Sequence, residues 1–249
     1  NDLAVRVIVM PKADKIADYI NDSKEFIVML PDGTYSFTAG VEKNKTLQAS
    51  GTNVTLNADG HNLKMGDPSN YGLIANMGEE GGVNDANIVS GGGAIAAADG
   101  SKVTVNGGSA HIDSSSTSAR YIFYAEGEGS VITVNGGSYS WDPAENTLKR
   151  AYVYCGAGAK VIINDGTFGK ASTRSGYTDG ILGTGTIIYG GTFGFDPTKW
   201  VAPTSKVEYD GTNWVVTPIK AATTPEEAKE AIKNVENGGV SNAENFSPY

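Results

Sequence analysis

Cysteine is almost absent from this chain: Cys155 is the only one among 249 residues. No disulfide can therefore form within the chain, and we interpret Cys155 as a small buried hydrophobe rather than a reactive thiol. Positive charge is also scarce, because 19 lysines and arginines face 28 aspartates and glutamates, which gives a formal net charge of −9. A surface of that sign argues against nucleic acid and anionic lipid as partners.

Long apolar runs, histidine and proline are equally rare. No segment approaches the ~18 consecutive apolar residues that cross a bilayer, so membrane insertion is not expected. The two histidines, His61 and His111, have no cysteine companions and do not predict a metal site. The acidic, glycine-rich segment 78–85 offers oxygen ligands that could hold Ca²⁺, with a merely solvated loop as the alternative. We expect no other cofactor.

Glycine, in contrast, is abundant and recurs in a repeated phrase. It contributes 33 of 249 residues, about 13%, against a usual share of roughly 7%. Four similar phrases occupy residues 102–113, 131–143, 160–172 and 186–197. Their second glycines, Gly108, Gly137, Gly166 and Gly191, which we call the marker glycines, are 29, 29 and 25 residues apart. Self-similarity at such a period indicates a stacked repeat architecture.

Each phrase opens with alternating apolar residues, as in Val103 and Val105 or Val161 and Ile163. This period of two predicts a strand with one buried face, and the Asn-Gly-Gly that follows predicts a turn with positive φ. A further apolar strand precedes each phrase, and no helical period separates the strands. We therefore predict an all-β protein, a right-handed single-stranded parallel β-helix in which coils stack as a solenoid.

Both ends of a solenoid need a cover, because exposed strand edges promote aggregation. Residues 1–25 contain a strand and then a short amphipathic helix, which we predict to be the N-terminal cap; residues 26–218 form the β-helix. Residues 219–249 hold a second helix, with Thr224 as its N-cap, followed by an extended tail. This C-terminal part is predicted to act as a cap, a linker or a docking arm.

Two segments resemble a known group of proteins. A helix followed by a strand and "LPDGTY" (residues 30–35) resembles the opening of right-handed parallel β-helix proteins of the pectate-lyase-like superfamily. The segment 190–218 resembles the closing unit of glycine-rich β-helix proteins from gut bacteria and their phages. The resemblance implies the fold, but the superfamily includes lyases, hydrolases, tailspikes, adhesins and virion decoration proteins.

The residue sets of the hydrolases in that superfamily are missing from this sequence. The best catalytic candidates are Asp113 and Asp142, which both follow their marker glycine by five residues and should meet on adjacent coils. Such a pair could act as the two carboxylates of a glycoside hydrolase. The alternative is that both aspartates merely cap turns and keep the surface soluble.

Aromatic residues recur at fixed places after the marker glycine. Tyr139 and two phenylalanines occupy the second position, while Trp141 and Phe195 occupy the fourth, where Lys170 intervenes in the coil between them. Turned outward, Tyr139, Trp141 and Phe195 would form a ladder for a sugar chain; turned inward, the rings would stack in the core. The lysine argues for partial exposure, and the two alternatives stay open from sequence.

These observations favour a non-enzymatic surface module, either a virion decoration or fibre-like protein or a bacterial surface β-helix. Such a module would be extracellular, at the cell surface or on a virion. Its loops, at residues 66–85, 114–120 and 171–179, would recognise a glycan or a surface receptor. Viral or cell-envelope scaffold proteins are the other expected partners, and a homotrimer is the expected assembly if the chain self-associates. The alternative function is a polysaccharide lyase or glycoside hydrolase.

Overall fold

The structure is a computed structural model that describes residues 12–67, 72–113, 116–142 and 147–220, with three isolated positions beyond. The chain divides into two compact units, Asn1–Thr217 and Pro218–Tyr249. The predicted N-terminal strand and nearly all of the predicted C-terminal helix lie outside the described residues. The first unit is all-β, with one short α-helix.

The described elements comprise one α-helix, two 3₁₀ turns and twenty strands. The helix α1 is Ile16–Asp22, and the 3₁₀ turns are Ala13–Lys15 and Thr198–Trp200. The strands are β1 (Ile27–Leu30), β2 (Gly33–Ser36), β3 (Val41–Ala49), β4 (Val54–Asn57), β5 (Asn62–Met65), β6 (Ile74–Ala75), β7 (Gly81–Asn84), β8 (Asn87–Ser90), β9 (Ile95–Ala97), β10 (Lys102–Asn106), β11 (Ser109–Ile112), β12 (Arg120–Ala125), β13 (Val131–Trp141), β14 (Arg150–Cys155), β15 (Lys160–Phe168), β16 (Ile181–Gly183), β17 (Thr186–Ile188), β18 (Gly191–Phe193), β19 (Ser205–Tyr209) and β20 (Trp214–Pro218).

The strands pair into three parallel ladders, and the chain visits the three in turn. Ladder A contains β1, the second half of β3, β6, β9, β12, β14 and β16. Ladder B contains β2, β4, β7, β10, β17 and the first halves of β13 and β15. Ladder C contains the first half of β3, β5, β8, β11, β18 and the second halves of β13 and β15. We call one passage through the ladders a coil, and the stack is solenoid-like.

The core consists of side chains that stack in columns, because equal positions of successive coils are paired. In ladder A, one such column runs through Val28, Leu47, Ile74, Ile95, Phe123, Val153 and Ile181, all of them buried. The alternation seen in the sequence therefore separates a core face from an outer face on most strands, as expected for a pleated strand.

The marker glycines align in one column, as their spacing predicts. Ser109 pairs with Ser138, and the following coils continue the register, so Gly108, Gly137 and Gly166 stack directly before them. All three glycines have positive φ. In two coils, however, the predicted turn does not interrupt the strand. β13 and β15 continue through it, with a local shift in register.

An asparagine ladder lies two residues before these glycines. Each asparagine donates from Nδ2 to the Oδ1 of the asparagine one coil earlier, at 2.6–2.8 Å, through the series Asn57, Asn84, Asn106, Asn135 and Asn164. The side chains thus repeat the backbone pattern of the sheet. The sequence contains these asparagines, but its pattern predicts only turn formers at these positions.

Each end of the first unit is covered by a different element. Helix α1 buries Ile16, Ala17 and Ile20 against the core, as the helical period predicts. At the other end, β20 pairs antiparallel with β18, and β19 pairs with β20. A segment around Val201 bridges the edge of β17.

The predicted recognition loops are only partly loops. Residues 66–85 contain the short strands β6 and β7, so the segment is a loop only in part, and its residues 68–71 lie outside the described residues. Of residues 114–120, Arg120 begins β12, and residues 114–115 are not described. Residues 171–179 form no strand or helix, as predicted.

Replacing Gly166 tests whether neighbouring coils approach closely at the marker glycines. Its φ is +141°, and an added Cβ would lie 3.1 Å from the Phe168 ring and 3.2 Å from the Tyr139 ring. We expect Gly166→Ala to lower the free energy of unfolding by about 1–3 kcal/mol, as measured by urea denaturation.

The matched control is Gly176→Ala. Gly176 also has a positive φ, +82°, but nothing lies within 4 Å of an added Cβ, so this change includes the backbone strain without the contact. Equal losses in the two variants would contradict the close approach between coils.

Candidate functional site

Three tyrosines form a cluster on the outer face of ladder A, which we call the tyrosine cluster: Tyr121, Tyr124 and Tyr154. The Tyr124 and Tyr154 rings stack with centroids 5.0 Å apart and planes 10° apart. Tyr121 lies 5.2 Å from Tyr154 and 5.9 Å from Tyr124. All three side chains are partly exposed, so the cluster forms an aromatic surface held by two strands.

The register of ladder A places these rings together. Tyr124 is the pairing partner of Tyr154, and their neighbours Phe123 and Val153 point into the core. Ala96 precedes and Leu182 follows Tyr124 and Tyr154 in this outer column, which is therefore apolar over four coils. The Tyr124 hydroxyl donates a hydrogen bond to the Glu126 carboxylate at the margin of the cluster.

Sequence reasoning missed the tyrosine cluster. Tyr124 and Tyr154 are 30 residues apart in the strands upstream of two successive phrases, which is a signal of the right kind. However, Ile122 and Phe123 are adjacent and both buried, so β12 breaks the alternation from which outward positions are assigned. The outward direction of Tyr121 and Tyr124 therefore needs the structure.

The predicted sugar-binding rings lie in the core instead. Tyr139 and Trp141 are each 2% exposed and Phe195 is 7% exposed. Tyr139 packs on Phe168 at 4.9 Å, and Phe168 stacks on Phe193 at 4.8 Å. Their faces are thus not available to a sugar, and the burial supports the inward alternative. Burial also raises the pKa of the Tyr139 hydroxyl far above its ordinary value.

Tyr152 explains why Lys170 can stand between Trp141 and Phe195 at the fourth position after the marker glycine. Its ring stacks on Trp141 at 4.0 Å and on Phe195 at 5.6 Å, so it fills the place between them. Lys170 is exposed, and its carbonyl oxygen accepts a hydrogen bond of 3.2 Å from the Tyr152 hydroxyl. The missing ring of that coil is therefore supplied by β14, which lies earlier in the chain.

The two catalytic candidates sit at equivalent positions of adjacent coils, as predicted. Asp113 and Asp142 each follow a residue of the pair Ile112 and Trp141 in ladder C, and both are exposed. A glycoside hydrolase needs one carboxyl group kept protonated by burial. The Asp142 side chain is 68% exposed, so its surroundings do not provide that burial.

His111 connects Asp142 to a serine. Its Nε2 lies 3.1 Å from Asp142 Oδ2, and its Nδ1 lies 2.7 Å from Ser140 Oγ. Nucleophilic catalysis by such a trio requires donors for the oxyanion. The nearby N–H groups of Asp142 and Gly169 already donate to carbonyl oxygens of neighbouring coils, so they do not form an oxyanion hole. We interpret the trio as a surface contact between coils.

A shallow groove lies on the outer face of ladder B. It runs along β7, β10 and β13, beside Gly82, which has no side chain to continue the column between Thr55 and Thr104. The groove is lined by Glu79, Glu80, Lys102, Thr104, Val131 and Thr133 together with backbone. Two carboxylates and an ammonium group thus face one depression, a combination that the sequence analysis did not anticipate.

Half of the segment proposed for Ca²⁺, residues 78–85, is strand rather than loop. Gly81–Asn84 is β7, and the backbone N–H groups of Glu79 and Glu80 donate to Thr52 and Asn53 of the previous coil. Within the described ranges, no three histidine, cysteine, aspartate or glutamate side chains are grouped to hold a metal ion. Within the same ranges, no helix is long and apolar enough to cross a membrane.

No protein-family model, curated protein or solved structure matches this chain. The surfaces described above must therefore be judged by their own geometry. The single thiol contributes to the core, since Cys155 is buried and burial raises its pKa. Among the described residues, the tyrosine cluster and the groove are two outer features that combine shape with polar chemistry.

Replacing Trp141 distinguishes a core ring from a ligand-binding ring. Because Trp141 is buried against Tyr152, we expect Trp141→Ala to reduce the free energy of unfolding by about 3–5 kcal/mol in urea denaturation. Trp141→Phe keeps most of the packing and should lose much less. An alanine variant as stable as the wild type would contradict the core position.

Proposed function

We propose that this protein is a non-enzymatic surface module that binds a neutral glycan through the tyrosine cluster. The observation that supports this proposal is the stacking of Tyr121, Tyr124 and Tyr154, with centroids 5.0–5.9 Å apart, on the outer face of ladder A. The module acts outside the cell, on a cell surface or a virion, where a stiff stack of coils holds the cluster away from its anchor.

A glycan suits this surface for chemical reasons. The C–H face of a pyranose ring is apolar and packs on aromatic rings, whereas its hydroxyl groups need polar partners at the edge. The tyrosine hydroxyls and the Glu126 carboxylate supply such partners, since tyrosine combines an apolar body with a polar tip. Strand residues hold the rings in place before binding, which reduces the entropy lost on association.

The charge of the chain favours a neutral glycan over an acidic one. The formal net charge is −9, and Glu126 lies beside the cluster, so a chain of uronates would be repelled. We further propose that the coils form a right-handed parallel β-helix of the pectate-lyase-like type. The three parallel ladders, visited in turn, support that architecture.

Removing one ring tests the proposal. We expect Tyr154→Ala to weaken binding to neutral oligosaccharides on a glycan array by roughly tenfold or more, because Tyr154 contacts both other rings. Isothermal titration then measures the affinity for the best array ligand. Tyr154→Phe should retain the stacking and lose only the hydroxyl contribution.

Tyr209→Ala is the matched control. Tyr209 is also an exposed tyrosine, at 57%, but it lies in β19, which does not belong to ladder A. Its removal should leave glycan binding unchanged. Equal binding by the wild type and Tyr154→Ala, or no glycan ligand for the wild type, would exclude this role for the cluster.

A polysaccharide lyase or hydrolase is the second candidate, and the groove along β7, β10 and β13 is the observation that favours it. There, Glu79 and Glu80 could act as acid, base or ligand, and Lys102 could bind a carboxylate of the substrate.

The first proposal predicts that the wild type releases no new reducing ends and no unsaturated, ultraviolet-absorbing products from a panel of polysaccharides. Cleavage that Glu80→Gln and Lys102→Met both abolish, while Tyr154→Ala retains it, would establish the enzyme instead. The exposed Lys64 provides the control, Lys64→Met, on the outer face of ladder C.

A further inference from the structure

Aspartate followed directly by glycine occurs six times in this chain. The six aspartates are Asp32, Asp59, Asp99, Asp165, Asp179 and Asp210. Such a pair is chemically labile, because the amide nitrogen of the glycine can attack the aspartate's own carboxyl group and glycine has no side chain to hinder the approach. The reaction needs the nitrogen and the carboxyl group in contact, so the fold decides which of the six pairs can react.

Asp165 makes the contact that this reaction requires. The backbone N–H of Gly166 donates a hydrogen bond of 2.7 Å to Oδ1 of Asp165, within the same pair. Asp165 is exposed, so water can reach its carboxyl group. The nucleophile and the electrophile are therefore held together before any reaction, which is the condition under which an intramolecular step is fast.

The carboxyl groups of Asp32 and Asp210 are held in other contacts. Asp32 accepts a hydrogen bond of 3.0 Å from the N–H of Asn53, and Asp210 accepts one of 2.8 Å from the N–H of Asn213. These backbone donors lower the pKa of both carboxyl groups and so keep them ionised. A carboxylate is a poor electrophile, because its oxygen leaves as water only from the protonated acid.

The remaining three pairs differ from Asp165 in another way. Asp59 and Asp99 have positive φ, and the Asp179 carboxylate lies 3.9 Å from the ammonium group of Lys199. All six pairs lie in the described part of the chain, and there only the Asp165 side chain accepts a hydrogen bond from the N–H of the glycine that follows it. The structure thus distinguishes one pair from five that are equal in sequence.

The backbone around Asp165 is also the irregular part of its strand. β13 and β15 pair in register on both sides, but their register shifts around the pair Asn135–Asp165. A local irregularity of this kind interrupts the ladder, so the peptide group between Asp165 and Gly166 is less constrained than one inside a regular strand.

We propose that Asp165 is a site of spontaneous isomerisation to isoaspartate in the folded protein. The amide nitrogen of Gly166 attacks Cγ of Asp165 and forms a new N–Cγ bond. The nitrogen loses its proton and the protonated carboxyl group loses its hydroxyl, so one water leaves and a succinimide ring remains. Water then adds to the main-chain carbonyl carbon of Asp165, and the bond from that carbon to the Gly166 nitrogen breaks.

The product joins residues 165 and 166 through the aspartate side chain. One water is released and one is consumed, so the mass of the chain does not change and no oxidant or other reactant is needed. The main chain gains one carbon atom directly before Gly166, where an added Cβ would already lie 3.1 Å from the Phe168 ring and 3.2 Å from the Tyr139 ring. Isomerisation therefore alters the chain at a close approach between coils.

Mapping of isoaspartate in the intact chain tests the proposal. The folded protein and a sample in guanidinium chloride are incubated at mildly acidic pH, and isoaspartate at each of the six positions is quantified by isoaspartyl methyltransferase labelling and peptide mass spectrometry. We expect Asp165 to isomerise at least as fast in the folded protein as in the unfolded chain. Asp32 and Asp210 should isomerise roughly tenfold or more slowly when folded, because their carboxyl groups are held elsewhere.

Asp165→Glu is the decisive variant. It retains the charge, but its side chain would have to close a six-membered ring, so the isoaspartyl label at this position should disappear. Asp210→Glu is the matched control and should leave the label at position 165 unchanged. Circular dichroism of both variants checks that the fold is retained.

Two results would overturn the proposal: no isoaspartate at position 165 in the folded protein, or protection of Asp165 by folding as strong as that of Asp32 and Asp210. The denatured sample validates the assay, because all six pairs should react there. These measurements read the covalent structure of the chain, so they are independent of whether the tyrosine cluster binds a glycan.

Discussion

Parallel hydrogen bonding between equal positions of successive coils is the constraint on which this structure depends. Once the backbone pairs in register, every side chain has a neighbour of the same position directly before and after it. The core must then be filled column by column, as the continuous series from Val28 to Ile181 in ladder A illustrates. Where one strand of a coil lacks the apolar side chain that a core column needs, another strand of the same coil must fill that position.

Tyr152 fills such a position, and the repeat alone does not predict that it does so. The phrase spacing predicts the strands, the alignment of the marker glycines and the inward stack that contains Tyr139. It does not predict that β14 provides a ring where Lys170 leaves a vacancy, because that depends on the path of the chain between phrases. The tyrosine cluster escaped prediction for a related reason, since two adjacent buried residues in β12 shift the side chains that follow.

The outer faces are chemically independent of the core that supports them. Ladder A presents stacked aromatic rings, ladder B presents charges around a groove, and ladder C presents the contact between His111, Ser140 and Asp142. On most strands, though not on β12 and β14, outward residues alternate with buried ones. A surface can therefore change without loss of the columns beneath it, which is why the same backbone geometry is compatible with recognition, assembly or catalysis.

The asparagine ladder gives the stack a direction. From Asn84 onward, every amide donates toward the N-terminal side, so the side-chain dipoles align head to tail along the axis. An additional coil with asparagine at that position would join the row without any new kind of contact. In the last coil, Tyr189 stands where the next asparagine would be. The length of the row is thus set by the number of successive coils that carry asparagine at this position, and here the row ends at Asn164.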